Sequence, residues 1–222
     1  MRPHYTRAIF FGVLILAAAS VAAESEQPVR RRKSYLGFGL GLTHTASQVA
    51  DVFGQGTDAS ILVNQHLYKG FGARLIVGGI YLGAPEESAK LETYLTGLEF
   101  FGSSFRNFSM SFEYIGIGPS FFFQFGERHS LSATVALSHY SVKLDVASLN
   151  AQRFKLSNGQ WGYNAGVMYG FWIGDSWGLH TRIELSRIYT TTEADDLYYV
   201  FVRGDTDPLF VSWLVGVQVG YR

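Results

Sequence analysis

The chain has 222 residues and no formal net charge, because 18 Lys and Arg balance 18 Asp and Glu. That balance supplies no global field for nucleic acid, and the absence of Cys excludes a disulfide framework, a thiolate metal site and an acylated N-terminal cysteine. Composition instead stresses 18 Phe, 13 Tyr, 4 Trp and 25 Gly beside only 5 Pro, which favours strands with one bulky apolar face and one face that needs room.

In chain order, Arg2 and Arg7 precede an unbroken apolar run from Ala8 to Ala19, and small residues follow from Ser20 to Ala23. This is the layout of a secretory signal peptide over residues 1–23, with cleavage after Ala22 or Ala23. Residues 24–33 end in the basic run Arg30 to Lys33 and form a solvated tail on the periplasmic side, suited to touching anionic headgroups. No later run reaches the ~18 apolar residues of a spanning helix. Residues 34–222 form one domain.

That domain contains eight segments with side chains alternating at period two: 34–45, 57–68, 71–83, 109–125, 129–146, 156–173, 177–190 and 208–221. Connections after the even segments are tight: Lys69-Gly70, Gly126 to Arg128, and Gly174 to Ser176. Those after the odd segments, 46–56, 84–108, 147–155 and 191–207, are longer and more polar. An even strand count with turns on one side and loops on the other predicts an all-β fold, an eight-stranded antiparallel transmembrane β-barrel in up-and-down meander order.

The faces agree with that architecture. In the fourth segment Ile115, Ile117, Pro119, Phe121, Phe123 and Phe125 share one face, with Gly116, Gly118, Ser120 and Gln124 on the other. Ten steps of ~3.3 Å tilted by ~40° cover about 25 Å, the height of a lipid-facing apolar band. Arg74, His66, His180, Arg182 and Glu184 all take the inward phase, where they form an interior polar network; a proton or small-ion path is the alternative. Eight strands leave an interior that side chains fill, and inward Phe122, Met168 and Trp172 supply the filling. Gly37, Gly39 and Gly41 have interior strand spacing without a following helix, so they are no phosphate loop. The scattered His residues offer no metal-ligand spacing, and no cofactor is implied.

The last eleven residues, SWLVGVQVGYR, place Val215, Val217, Val219 and Tyr221 on alternate positions. This stretch resembles the C-terminal signal of bacterial outer-membrane proteins, with Arg222 following the terminal aromatic. The whole mature chain is similar to the small barrels of the OmpA, OmpX and OmpW kind. The resemblance implies export through the general secretory pathway to the outer membrane of a Gram-negative bacterium. It also implies recognition of the last strand by the barrel-assembly machinery, and a monomer surrounded by outer-membrane lipid and lipopolysaccharide.

One polar group breaks the outward face. Leu131, Ala133, Val135 and Leu137 set the lipid-facing phase of the fifth segment, and His139 and Ser141 continue it. With Phe125 paired to His129, Ser141 falls opposite Glu113. Nucleophilic catalysis needs such a set: Ser141 to attack, His139 to take its proton and Glu113 to orient the imidazole. His139-Tyr140-Ser141 also resembles the His-x-Ser of the PagL lipid A deacylases, although Val142 stands where that family has Asn. Two structural readings compete. A bulge near Ser138 would turn His139 and Ser141 inward, or the residues rise into headgroups, where a turn one pairing longer would set Lys143 against Glu113 as an exposed ion pair. Within the loop after the third segment, Leu91, Leu95 and Leu98 have helical spacing compatible with a short lid. Function therefore divides into a non-enzymatic surface or structural barrel, an outer-leaflet lipid hydrolase, and a narrow porin-like channel for small or hydrophobic solutes.

Overall fold

The computed structural model describes residues 34–46, 55–83, 105–148, 153–189 and 208–221. They form eight strands: β1 (Ser34–Thr45), β2 (Gln55–Tyr68), β3 (Phe71–Leu82), β4 (Phe105–Phe125), β5 (His129–Ser148), β6 (Arg153–Trp172), β7 (Trp177–Tyr189) and β8 (Leu209–Tyr221). Each pairs antiparallel with its sequence neighbours, and β1 pairs with β8 from Ser34↔Tyr221 to Thr45↔Phe210, closing the barrel. The signal-peptide, basic-tail and helical-lid expectations lie outside the described residues.

Turn chemistry explains one end. Lys69 and Gly70 both have positive φ (38° and 89°) between the paired residues Tyr68 and Phe71, the two-residue hairpin geometry that suits strand twist. Gly126 takes φ 66° to open the turn between β4 and β5. Ile173 N–H donates to the Trp177 carbonyl at 3.1 Å between β6 and β7.

Register fixes the barrel's size. A path of paired residues runs Leu36, Val63, Leu75, Ile117, Leu137, Tyr163, Arg187, Leu209. It returns to β1 at Ala46, whose N–H donates to the Leu209 carbonyl at 2.8 Å, so one circuit climbs 46 − 36 = 10 residues. A stagger of that size over eight strands tilts them by roughly 40° and leaves a lumen that only side chains can fill. The lumen is filled: Tyr35, Leu62, Ile80, Phe112, Tyr140, Phe210 and Leu214 are fully buried. The outward face carries Leu36, Phe38, Leu40 and Leu42 on β1 and Trp213, Val215, Val217 and Val219 on β8, all exposed.

The strands differ from expectation at the loop end. β4 starts at Phe105 instead of Ser109, and β5 and β6 run on until Ala147 pairs with Arg153. Within the expected long polar loop at 147–155, residues 147–148 and 153–155 are therefore strand. Polar residues there are compatible with strand because the ladder between β5 and β6 continues above the apolar band, where water solvates outward groups. β4, β5 and β6 span 21, 20 and 20 residues, while the others span 12 to 14. The pairing of β3 with β4 ends at Leu82↔Met110 and that of β6 with β7 at Trp161↔Tyr189. The three long strands thus rise roughly 15 Å past that level at ~3.3 Å per residue, as a wall on one side of the mouth.

Closure depends on close approach at the β1–β8 seam. A Cβ on Gly216 would lie 1.8 Å from the Phe38 carbonyl oxygen, and one on Gly41 would lie 1.8 Å from that of Trp213. Gly216→Val should therefore block the seam. Its folded, fast-migrating band in unheated detergent gels should be largely lost, whereas Val215→Leu on the lipid face should leave that band intact.

Candidate functional site: an interior ionic layer and an outward polar patch

Two sites follow from the alternation. Inward, β7 presents His180, Arg182 and Glu184 on alternate positions, all buried. Arg182 Nε lies 2.9 Å from Glu184 Oε2, with both side chains no more than 1% exposed. The Arg182 guanidinium also donates to Ser60 Oγ on β2 across the lumen. Glu184 Oε1 accepts from Asn164 Nδ2 at 3.0 Å, and the same amide nitrogen donates to Ser186 Oγ at 2.6 Å. Asn164 Oδ1 accepts from Ser138 and, at 2.9 Å, from the Tyr140 hydroxyl. One asparagine thereby ties β5, β6 and β7 to the ion pair, and Arg182 ties β7 to β2.

The other expected members are placed more loosely. Arg74 is buried and inward, but its guanidinium donates to Thr134 on β5 and approaches Met168 Sδ at 4.0 Å. His66 lies 66 − 60 = 6 residues further along β2 than Ser60, at the turn end, where its N–H donates to Ser34 Oγ at 3.1 Å. Asp58 was not singled out in the sequence, yet it is fully buried and accepts from the Tyr114 hydroxyl at 3.2 Å. Its even-numbered phase with Ser60, Leu62 and Asn64 was the available signal.

Apolar layers bracket this polar zone. Towards the loop end lie Ile80, Leu82, Met110, Val142, Ile188 and the ring pair Phe112–Phe210, 4.8 Å apart. Towards the turn end, Tyr35 packs against Phe122 at 6.1 Å and Trp172 at 6.4 Å. Among the described residues, the Arg182–Glu184 pair therefore lies between two layers of buried apolar side chains.

The outward patch has the expected register. Glu113 pairs with Ser141 and Ile115 with His139, and Ser138, Tyr140 and Val142 stay buried inward. The phase-reversing bulge does not occur, because an unbroken ladder from Ile117↔Leu137 to Phe108↔Val146 holds it. Within the patch, Glu113 Oε1 accepts from Lys143 Nζ at 2.6 Å, with the two side chains 47% and 48% exposed. Lys143 is paired with Ser111, so it reaches Glu113 diagonally. The His139 ring meets Trp161 edge-on at 5.2 Å, and a Cβ on Gly159 would lie 2.9 Å from its Nε2. Glu113 is thus engaged by a cation one step beyond Ser141, and His139 by an indole.

Aromatic belts flank the apolar band. At the loop end are Trp161, Tyr163 and Tyr189, with Arg187 over the Tyr189 ring at 5.7 Å. At the turn end, His129 stacks on Phe125 at 5.6 Å, and its Nδ1 shares a 2.7 Å hydrogen bond with the Tyr169 hydroxyl. Two interfacial belts about an apolar band mark a spanning barrel. The fold is that of the small outer-membrane β-barrels. Neisserial surface protein A shares it at 12% identity and a TM-score of 0.54, over 85% of this chain and 97% of that one. A major outer-membrane protein of Thermus thermophilus does so at 9% identity and 0.55, over 86% and 100%. Ail, the attachment invasion locus protein of Yersinia pestis, does so at 12% and 0.50, over 86% and 100%. No protein-family model and no curated protein sequence matches the chain.

Removing one member of the buried pair leaves an uncompensated charge, which costs about 3–5 kcal/mol, whereas apolar replacement of both is often neutral. Glu184→Leu should therefore lower the urea midpoint of the barrel in lipid far more than Arg182→Met combined with Glu184→Leu. The exposed pair behaves differently. Lys143→Ala should change stability by no more than about 1 kcal/mol in the same titration.

Proposed function

We propose that the chain is a surface-acting, non-enzymatic barrel of the Gram-negative outer membrane, exported by the secretory route and embedded as a monomer in phospholipid and lipopolysaccharide. The observation that carries this reading is the division of labour in the strands. The lumen is packed, with Phe112 and Phe210 buried towards the loop end, while among the described residues β4, β5 and β6 continue past the mouth as a wall. Material at the mouth of a packed lumen suits contact with something outside the cell. Neisserial surface protein A and the attachment invasion locus protein share the fold and bear names that place them at such surfaces. The turn end then faces the periplasm, and the last strand is the segment offered to the assembly machinery.

The absence of Cys makes the topology directly testable. Lys143→Cys should react with a membrane-impermeant maleimide on intact cells, and Glu127→Cys in the β4–β5 turn only after the outer membrane is opened. The reverse labelling would overturn the orientation. Purified barrel in planar bilayers should give no discrete current steps, and regular steps would restore the channel reading.

A second reading, a lipid hydrolase, draws on one observation: the register brings Ser141, His139 and Glu113 onto one outward patch at the loop-end belt. The carboxylate's bond to Lys143 favours the ion-pair role instead. Lipid A from cells expressing the wild type and Ser141→Ala at equal levels should have the same acylation by mass spectrometry. Loss of an acyl chain with the wild type alone would make the protein an enzyme.

A further inference from the structure

The β1–β8 junction is the one place where neighbouring strands are joined by no segment of chain, because β1 and β8 are the first and last strands. Strand ends fray most readily where only the ladder holds them. At the turn end, three contacts gather on this junction. Ser34 pairs with Tyr221, and the buried Ser34 side chain accepts at Oγ from the His66 N–H of β2 at 3.1 Å. On the other side of β8, the Gly220 N–H donates to the Ser176 carbonyl in the β6–β7 turn at 2.6 Å. The third contact skips a strand: the Tyr221 hydroxyl donates to Gln65 Oε1 on β2 at 3.1 Å.

Strand spacing explains why this contact needs a tyrosine. β8 and β2 flank β1, so they stand two strand spacings, about 9.6 Å, apart. Tyr221 and Gln65 are both exposed on the outward face, while Ser34 between them is buried, so the ring crosses the outside of β1. A phenylalanine would cover the same surface and stop short of Gln65. Gln65 is also a polar side chain in an outward row with Ile61, Val63 and Leu67, and the tyrosine gives its carbonyl a partner. A bond from β8 to β2 exists only once β8 has docked on β1. We propose that Tyr221 and Gln65 are a closure latch, formed on completion of the barrel, that holds the turn end of the β1–β8 seam against fraying. The latch goes beyond the surface role and needs no partner outside the barrel. Tyr221 then has two separable parts: a ring, which belongs to the terminal aromatic of the assembly reading, and a hydroxyl, which serves the finished barrel.

Amide hydrogen exchange of the barrel in lipid nanodiscs tests the latch. Tyr221→Phe and Gln65→Leu should each speed exchange at the turn-end pair Leu36↔Val219 by about fivefold, the effect of one hydrogen bond of ordinary net strength. The loop-end pair Leu42↔Trp213 should be unchanged. The double variant should exchange no faster than either single one, since both remove the same bond. Gln65→Glu, which keeps an acceptor oxygen, should retain the protection and lose it when combined with Tyr221→Phe. Unchanged exchange at Leu36 and Val219 in both single variants, or effects that multiply in the double variant, would overturn the latch. In cells, Tyr221→Phe should reach the folded, fast-migrating band at the wild-type level, because it keeps the ring. Poor assembly of that variant would place the hydroxyl's role before closure and refute the proposal.

Discussion

Closure of the hydrogen-bond ladder is the constraint on which the rest depends. In hydrocarbon no water is available to an unpaired N–H or C=O, so a sheet can span only if its first strand meets its last. Here β1 and β8 meet over twelve paired positions, Ser34 to Thr45, with Gly41 and Gly216 permitting the approach. Once eight strands close with a stagger of ten residues, the lumen's width is no longer adjustable. What varies is which side chains occupy it, and that choice separates a pore from a plug.

The occupants show how charges are kept inside a barrel. Inward phase is forced on Arg74, Arg182 and Glu184, since an outward charge at midplane costs about 2–4 kcal/mol. The interior offers no bulk water either, so each charge needs partners within reach. Arg182 finds Glu184 on its own strand and Ser60 across the lumen, and Asn164 satisfies the second carboxylate oxygen. This network holds geometry more than it adds stability, because the attraction within a buried pair is largely offset by desolvation. One ion pair and its hydrogen-bond partners thereby link β2, β5, β6 and β7. The same logic operates in miniature on the lipid face. There the Trp213 indole N–H donates to Thr181 Oγ1 at 2.8 Å, and that hydroxyl donates to the Leu214 carbonyl at 3.3 Å, so a threonine facing lipid has no idle polar atom.

Much of this was legible in the sequence because period-two alternation is a local signal. The turns Lys69-Gly70 and Gly126 to Arg128 announce themselves; counting back from the second places Glu113 opposite Ser141, and alternation against Leu179, Ile183 and Leu185 puts Arg182 and Glu184 indoors. Partner choice was less legible. Nothing local says that Arg182 would cross the lumen to Ser60, that Arg74 would turn to Thr134, or that Lys143 would reach Glu113 diagonally. Those contacts depend on strand tilt, which sets which layers face one another. The ends of β4, β5 and β6 were misplaced for a different reason. Apolar alternation measures the thickness of lipid, whereas a ladder can continue into water with polar outward residues, so the apolar pattern stops before the strand does.

The point where alternation ends and the ladder continues is the boundary between the membrane-embedded barrel and its surface apparatus. Along β5 the outward residues change from Leu131, Ala133, Val135 and Leu137 to His139, Ser141 and Lys143 within one strand, while the inward residues Ser138, Tyr140 and Val142 remain buried throughout. Inside lipid the outward face is the apolar one; at Val142 and Lys143 the inward face is. The ladder stays continuous while the solvent changes, and the side chains change with it. His139, Glu113 and Lys143 therefore mark where headgroups and water meet the protein, beside Trp161 and Tyr189 at the same belt. Their polarity needs no catalytic explanation, since an aromatic belt and an exposed ion pair are what that depth favours. Above it, β4 to β6 continue as a paired sheet, from Ser109↔Asp145 to Phe105↔Ser148 and from Lys143↔Ser157 to Ala147↔Arg153, so the described part of the mouth is built of strand on that side.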